Sequence, residues 1–297
     1  MHQFIQQAAE TFPVQALGQV LGVSKSGYYA SRRQALPTPP GELAVTLEGA
    51  FWRHRRRYGS RRLSAELKAD GVVVGRHKIR RLMREQNLRA IQPKGFVPRT
   101  TDSRHGGKIS PNLLLGRSLP PAKPNEVVVG DITYLSLVGG RWAYLATWED
   151  LFSRLVVGWQ IEETLEDRVV ILAMGKAILR RRPEKGLIVH SDRGGQYVSN
   201  AFRELLAEHG DEQSMSRAAE GYDNAYAESL FSRYKAELLE GGAFADVEQA
   251  QLETFRYMEG DYNRVRRHSA LGYLSPEEYE KKYYEGQANF DNQPKGG

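Results

Sequence analysis

A carboxylate stands in the middle of a strongly apolar, β-branched stretch, Val127-Val-Val-Gly-Asp131-Ile-Thr-Tyr-Leu135. Such a run reads as a buried strand. A charge inside it must be paired, must coordinate a cation, or costs roughly several kcal/mol in desolvation. The chain therefore has to build a sheet around Asp131 and supply something for its charge to meet.

The neighbouring sequence supplies that sheet. Short β-branched runs at 127–137, 142–148 and 155–161, joined by Gly139-Gly140 and by a turn at 150–154, predict an antiparallel meander. A helix is predicted over 167–182, with Val169, Val170, Leu172, Ala173, Ala177 and Ile178 on its buried face, and then a strand over 186–190. A helix at 200–209, a weak strand at 213–216, helices at 224–239 and 247–262, a basic segment and a short final helix after Ser275-Pro276 complete the pattern. Strands followed by helix and strand imply a mixed α/β sheet.

Ahead of this region the chain is helical. Val14, Leu17, Val20 and Leu21 recur at helical spacing, Gly22 ends that helix, and Ser24 is placed to cap the next. Pro37-Thr38-Pro39-Pro40 reads as a linker. A helix from Glu42 through Trp52 leads into a compact helix pair at 61–69 and 75–86, with Arg76, His77, Lys78, Arg80, Arg81 and Arg84 crowding the second member. That is the composition of a helix-turn-helix recognition element. Residues 52–108 hold 17 Lys and Arg against 4 Asp and Glu, whereas 109–297 hold 22 against 29. The net charge of +6 thus conceals one polycationic block, the footprint of a protein that tracks phosphates. The proline- and glycine-rich stretch 91–125 reads as a connector whose basic residues could lie along DNA. The expected organisation is a helical region at 1–36, a basic DNA-binding domain at 42–92, a linker at 93–124, a catalytic core with C-terminal helices at 125–285 and a tail at 286–297.

The absence of cysteine removes disulfides, thiolate metal sites and a cysteine nucleophile, and oxygen ligands favour a hard ion such as magnesium. With no run of eighteen apolar residues and no secretory pattern at the N-terminus, the sequence predicts no membrane association and a cytoplasmic location. Two more acids join Asp131. Asp192 directly follows the strand at 186–190, where α/β folds usually place their sites, though read singly it is equally a turn aspartate before Gly194-Gly195. Glu228 lies early on the helix at 224–239, where alone it would serve the helix dipole. Lys235 lies two turns further along the same face, within reach of a phosphate or simply solvated. His190 and Arg193 flank Asp192, with orienting, DNA-contacting and structural roles all open, and Asp150 reads as a turn or cap residue.

A series of phrases runs through the chain in order: Gly130-Asp-Ile-Thr-Tyr134, Asp150-Leu-Phe-Ser-Arg154 with Val157-Gly-Trp159, and His190-Ser-Asp-Arg-Gly-Gly-Gln-Tyr197. Ser214-Met-Ser216, Tyr222-Asp-Asn-Ala225 with Glu228-Ser229, Tyr262-Asn263 and Arg267-His-Ser-Ala-Leu-Gly-Tyr-Leu-Ser-Pro276 follow. In these phrases the chain resembles insertion-sequence transposases of the IS-three family, specifically the product of the second reading frame. The 35 residues between Asp192 and Glu228 match the spacing of retroviral integrase-like transferases, with 60 between Asp131 and Asp192. The resemblance implies an α/β RNase H-like core, an N-terminal all-α helix-turn-helix-like region, and Asp131, Asp192 and Glu228 as catalytic metal ligands. It also implies two magnesium ions, replaceable by manganese, and terminal inverted repeats and target duplex as substrates. DNA contacts are expected from Lys235, Arg193, Arg76, Lys78, Arg80, Arg81 and Arg84. Expected partners are a second copy of the chain on DNA, forming at least a dimer, and the upstream-frame helix-turn-helix protein; the work would take place at the bacterial nucleoid. Asp211-Glu212 departs from the family by placing charge at the start of the strand at 213–216. Two other readings fit the acids alone: an RNase H-like nuclease on RNA–DNA hybrids, and a transposase-derived DNA-binding regulator.

Overall fold

The computed structural model describes residues 2–9, 11–33, 41–93, 108–117, 121–217 and 225–291. The predicted linker at 37–40, the connector at 94–107 and 118–120, the phrase at 222–224 and the end of the tail at 292–297 lie outside the described residues. The chain divides into two compact units, Met1–Gly49 and Ala50–Gly297.

The first unit contains α1 (His2–Ala8), α2 (Val14–Leu21), α3 (Lys25–Arg33) and the opening turns of α4 (Glu42–Arg53). Gly22 closes α2 with φ 65, and the Ser24 hydroxyl accepts from the Gly27 amide at 3.0 Å, the cap its position predicted. α1, a short and mostly polar helix, carries no periodic apolar cue. The apolar stripe of α2 forms the expected helix, yet none of its residues is buried and Val20 is 84% exposed.

The second unit begins with the end of α4 and the pair α5 (Ser60–Ala69) and α6 (Arg76–Glu85). These two pack together and bury Leu63, Leu67, Ile79 and Met83. Gly71, at φ +84, makes the turn after α5, and the Ser64 hydroxyl donates to the Val74 carbonyl at 2.9 Å.

The remainder is built on a five-stranded sheet of β1 (Val127–Ser136), β2 (Trp142–Asp150), β3 (Val156–Glu162), β4 (Ile188–Ser191) and β5 (Glu212–Met215), ordered β3-β2-β1-β4-β5. The first three strands are the expected antiparallel meander; β4 runs parallel to β1, and β5 parallel to β4. Period-two alternation sends the two faces of β1 into different cores. Val128, with Trp148 and Val157 of the neighbouring strands, packs under α7 (Arg168–Arg181) and α8 (Asn200–His209). Leu135, with Leu145 and Ile161, packs under α9 (Ala225–Leu238) and α10 (Val247–Phe255). α7 can lie this close only because residue 158 is glycine: a Cβ there would stand 2.2 Å from the Ala173 carbonyl oxygen. Despite its charged start, β5 forms by pairing with β4, and burial pushes the Asp211 carboxyl up to about 6.

Two C-terminal elements differ from the sequence reading. The helix predicted over 247–262 becomes a π-helix at Arg256–Tyr262, which brings the fully buried Asn263 against the edge of β3. There its side chain accepts from the Val156 amide at 2.9 Å and donates to the Val156 carbonyl at 3.0 Å, completing the strand. The final helix α11 (Pro276–Asp291) is 16 residues long rather than short. Glu280 anchors it, accepting from the Ser153 hydroxyl at 2.6 Å and from Arg181 at 2.7 and 2.9 Å. Among the described residues, no helix is long and apolar enough to cross a membrane.

Candidate active site

Asp131 sits at the centre of the sheet, opposite Thr147 of β2, on the β1 face that α9 covers. One of its carboxylate oxygens accepts from the Ile132 amide at 2.9 Å. Its pKa is pushed well above the usual carboxylate range, first by burial and then by the negative charges of Asp192 and, more weakly, Glu228, with Lys235 pulling the other way. Three carboxylates and one ammonium from β1, the β4 exit and α9 therefore share one electrostatic neighbourhood.

Each comes there by a local device. Gly130 lets β1 run flush against the ring of Trp148, which stacks on Phe202 with centroids 5.8 Å apart. Asp192 leaves β4 in an Asx turn, its Oδ1 accepting from the Gly194 amide at 2.9 Å. α9 lays Leu230, Phe231 and Tyr234 on the sheet, which leaves Glu228 exposed in its first turn and Lys235 half-buried two turns on. Partial desolvation raises the Glu228 carboxyl; burial lowers the Lys235 ammonium, which the Asp131 charge in part restores.

The residues flanking this cluster sort differently. His190 is fully buried and bonds through its two ring nitrogens to the hydroxyls of Ser214, at 2.8 Å, and Ser216, at 3.2 Å, so it ties β4 to the β5 edge. Arg193 donates through Nε to the Ser216 carbonyl at 2.8 Å. Asp150, also fully buried, caps its own turn by accepting from the amides of Phe152 and Ser153 and from that of Asn125. These contacts make Asp150 the turn residue its sequence position suggested.

Two residues that sequence reasoning missed border this neighbourhood, one through the charges of the acids and the other through the first turns of α9. Tyr197 is buried with no hydrogen-bond partner for its hydroxyl among the described residues, and burial together with the charges of Asp131 and Asp192 holds that hydroxyl protonated. Its place five residues after Asp192, in a glycine-rich turn, was the available signal. Arg154, at φ 63, lays its guanidinium 3.9 Å from the centroid of Tyr226, two residues before Glu228, and pairs with Glu149 at 3.5 Å.

All three acids offer hard oxygen donors, and their mutual repulsion at Asp131 is what a divalent cation would relieve. The fit is one of donor chemistry and charge; among the described residues no group of three acids or histidines stands ready as a ligand cage. Away from this centre, α6 presents Arg76, Lys78, Arg80, Arg81 and Arg84 to solvent while Ile79 and Met83 turn inward, an exposed basic face of the kind that meets a phosphate backbone.

Models of the "Integrase core domain" match residues 121–220 and 209–276, and a model of an "HTH-like domain" matches 42–96. The insertion element IS600 31 kDa protein of Shigella sonnei is 38% identical over 274 residues, covering 90% of this chain and 98% of its own. Transposase InsF for insertion sequence IS3A of Escherichia coli (strain K12) is 38% identical over 284 residues, covering 94% and 98%. Among solved structures, a simian T-cell lymphotropic virus intasome chain aligns over 73% of this chain and 70% of its own, at 15% identity and a TM-score of 0.42. The integrase core match and the five-stranded mixed sheet together give the α/β RNase H-like class, preceded by a helical HTH-like region.

Proposed function

This chain belongs to the IS3 family of insertion-sequence transposases, and from that premise we propose that Asp131, Asp192 and Glu228 form the centre at which it cuts and joins DNA. It is a DNA transposase, a polynucleotidyl transferase with an integrase core. What supports the assignment is that the charges of Asp192 and Glu228, carried by separate elements, both act on the strand-borne Asp131 carboxylate in the middle of the sheet. These residues would hold two magnesium ions, or manganese in their place, and such ions supply Lewis-acid stabilisation of the phosphoryl oxygens and of the departing 3′ oxygen.

Around that centre the chain's own residues bind and orient DNA. Lys235, on the Asp131 side of α9, receives a phosphate beside the carboxylates, and Arg193 borders the same path. Arg76, Lys78, Arg80, Arg81 and Arg84 meet the duplex of the terminal repeat. A water oxygen displaces the 3′ oxygen of one phosphodiester, and the freed 3′ hydroxyl then displaces the 3′ oxygen of a target phosphodiester, conserving one phosphodiester in the second step. No covalent protein intermediate is needed; Tyr197, Tyr234, Tyr257 and Tyr262 are buried with their hydroxyls held protonated. Two ends must be brought together, so the working form is at least a dimer on DNA, formed with or without the upstream-frame protein at the nucleoid. In this reading residues 42–92 grip the ends and 125–285 perform the chemistry.

The test is strand cleavage and joining on a labelled duplex carrying the element's own terminal repeat, with magnesium, for wild type and Glu228→Gln. The reading predicts both steps for wild type and neither for Glu228→Gln, with end binding retained. Joining by Glu228→Gln refutes the assignment. A wild type that binds the end but never cuts it, even with the upstream-frame protein present, is a regulator instead.

A further inference from the structure

Side chains more than two hundred positions apart in sequence lock the basic helix pair to the C-terminal part of the core. Glu66 of α5, nearly buried, lies 2.9 Å from His54 Nε2 and accepts from Arg267 Nε. Arg62 Nε donates to the Arg267 carbonyl at 2.7 Å. The Tyr58 hydroxyl accepts from the Arg267 amide at 2.8 Å and donates to the Val265 carbonyl at 3.2 Å. Arg57 donates to Asp261 at 2.8 Å, beside the fully buried Arg266, which forms a two-pronged pair with Glu237 of α9.

Burying this many charges is a poor way to gain stability, because desolvation offsets most of the attraction and apolar packing of similar volume does as well or better. What such a network provides is registry. Guanidinium–carboxylate pairs accept a narrow range of geometries, and sliding α5 by a single residue would strand a buried charge. An apolar contact would tolerate the same slip. The network also has two well-defined ends. Through α5 it reaches α6, whose basic face points outward. Through Glu237 it reaches α9, where Glu228 lies nine residues, or about 13 Å of helix, away.

We propose that this network is a ruler: Glu66, Arg267, Arg57, Asp261, Arg266 and Glu237 hold the basic face of α6 at a fixed distance and orientation from the carboxylates of the same chain, so that the base pairs gripped by α6 determine which phosphodiester is cut. The proposal rests on the strand-cutting reading above. Glu66 and Arg267 act as positioning residues, since they set where the cut falls without touching the reacting atoms.

The chain has no cysteine, so spin labels can be attached at Glu85→Cys on α6 and Glu208→Cys on α8 of the full-length protein, with no other labelling site. Two quantities are read from this parent and from the parent carrying Glu66→Gln or Arg267→Lys: the distribution of label distances, and the positions of cuts in the terminal-repeat duplex, mapped to the nucleotide. The ruler predicts one narrow distance in the parent and a broader distribution in both variants. It also predicts cuts spread over neighbouring phosphodiesters and a rate at the parental position lowered by roughly tenfold or more. End affinity stays within about threefold, because the α6 contacts are intact. Arg267→Lys keeps the charge and serves as the reading if Glu66→Gln does not fold. A parent with broad distances overturns the proposal, as do variants that cut more slowly but only at the parental position. A parent that leaves every duplex uncut, even with the upstream-frame protein present, instead overturns the strand-cutting reading, and the ruler with it.

Discussion

Gly130→Ala isolates how the sheet presents Asp131. A Cβ at residue 130 would lie 2.3 to 2.6 Å from three carbons of the Trp148 ring, where ordinary contact begins at 3.4 Å, so ring or strand must yield by about 1 Å. Neither can move easily. Trp148 is fully buried, is stacked on Phe202 and meets Tyr197 edge-on at 5.9 Å, while β1 is paired on both sides. Overpacking of this kind costs about 1–3 kcal/mol, and the rigidity of the site puts the loss near the upper end. In a unit of this size that lowers the Tm by roughly 6–10 °C. Thermal unfolding of wild type, Gly130→Ala, Trp148→Leu and the double variant measures it. If the clash is the cause, Gly130→Ala costs about 1–2 kcal/mol less in the Trp148→Leu background than in wild type. An unchanged Tm, or the same loss in both backgrounds, would refute the packing argument. Gly175→Ala is the control, because nothing lies within 4 Å of a Cβ in that α7 position and alanine should add about 0.5–1 kcal/mol.

Burial raises the Glu149 carboxyl to about 7 against the pull of Arg154, so the folded protein holds a proton there that the unfolded chain releases near 4.5. Stability from this group is therefore full below pH 4.5 and lost as pH rises to about 7, a fall of about 3 kcal/mol that Glu149→Gln should remove from denaturant titrations at pH 5 and 8. Arg154→Ala deletes the guanidinium over Tyr226 and should slow strand cleavage by about tenfold with unchanged end affinity, as the first turn of α9 loosens; an unaltered rate would remove Arg154 from the site. Arg80→Ala should lower the slope of log affinity against log salt by about 1, and a parallel shift without change of slope would mean that this side chain does not meet a phosphate.

What could be read from the sequence follows the range of the interactions involved. The meander, α7, α8 and α9 were legible because their apolar residues alternate with the period of the element that buries them, in phase with one side of one sheet. The acids stood out as candidates because a carboxylate in the Val127–Leu135 run has few explanations, whereas Asp192 and Glu228 joined it only through their spacing and the family resemblance. The length of α11 was not legible, since its segment is largely polar and is fixed by Glu280 reaching Arg181 and Ser153. Nor was the inward turn of His190 and the commitment of Arg193 Nε to Ser216, because both depend on β5 lying alongside β4. The same holds for Arg57, Glu66, Arg266 and Arg267. Read along the chain they belong to the 52–108 block and to the basic segment before α11, and only the tertiary fold shows that they answer each other.

Manganese binding measures whether the three carboxylates act as one metal centre, without requiring turnover. Full-length protein on its terminal-repeat duplex, titrated with Mn2+ and followed by electron paramagnetic resonance, should bind two ions per chain, and magnesium should compete them away. Asp131→Asn should abolish both sites, and Glu228→Gln should weaken them while end binding persists. Unchanged manganese binding by Asp131→Asn would contradict the central claim.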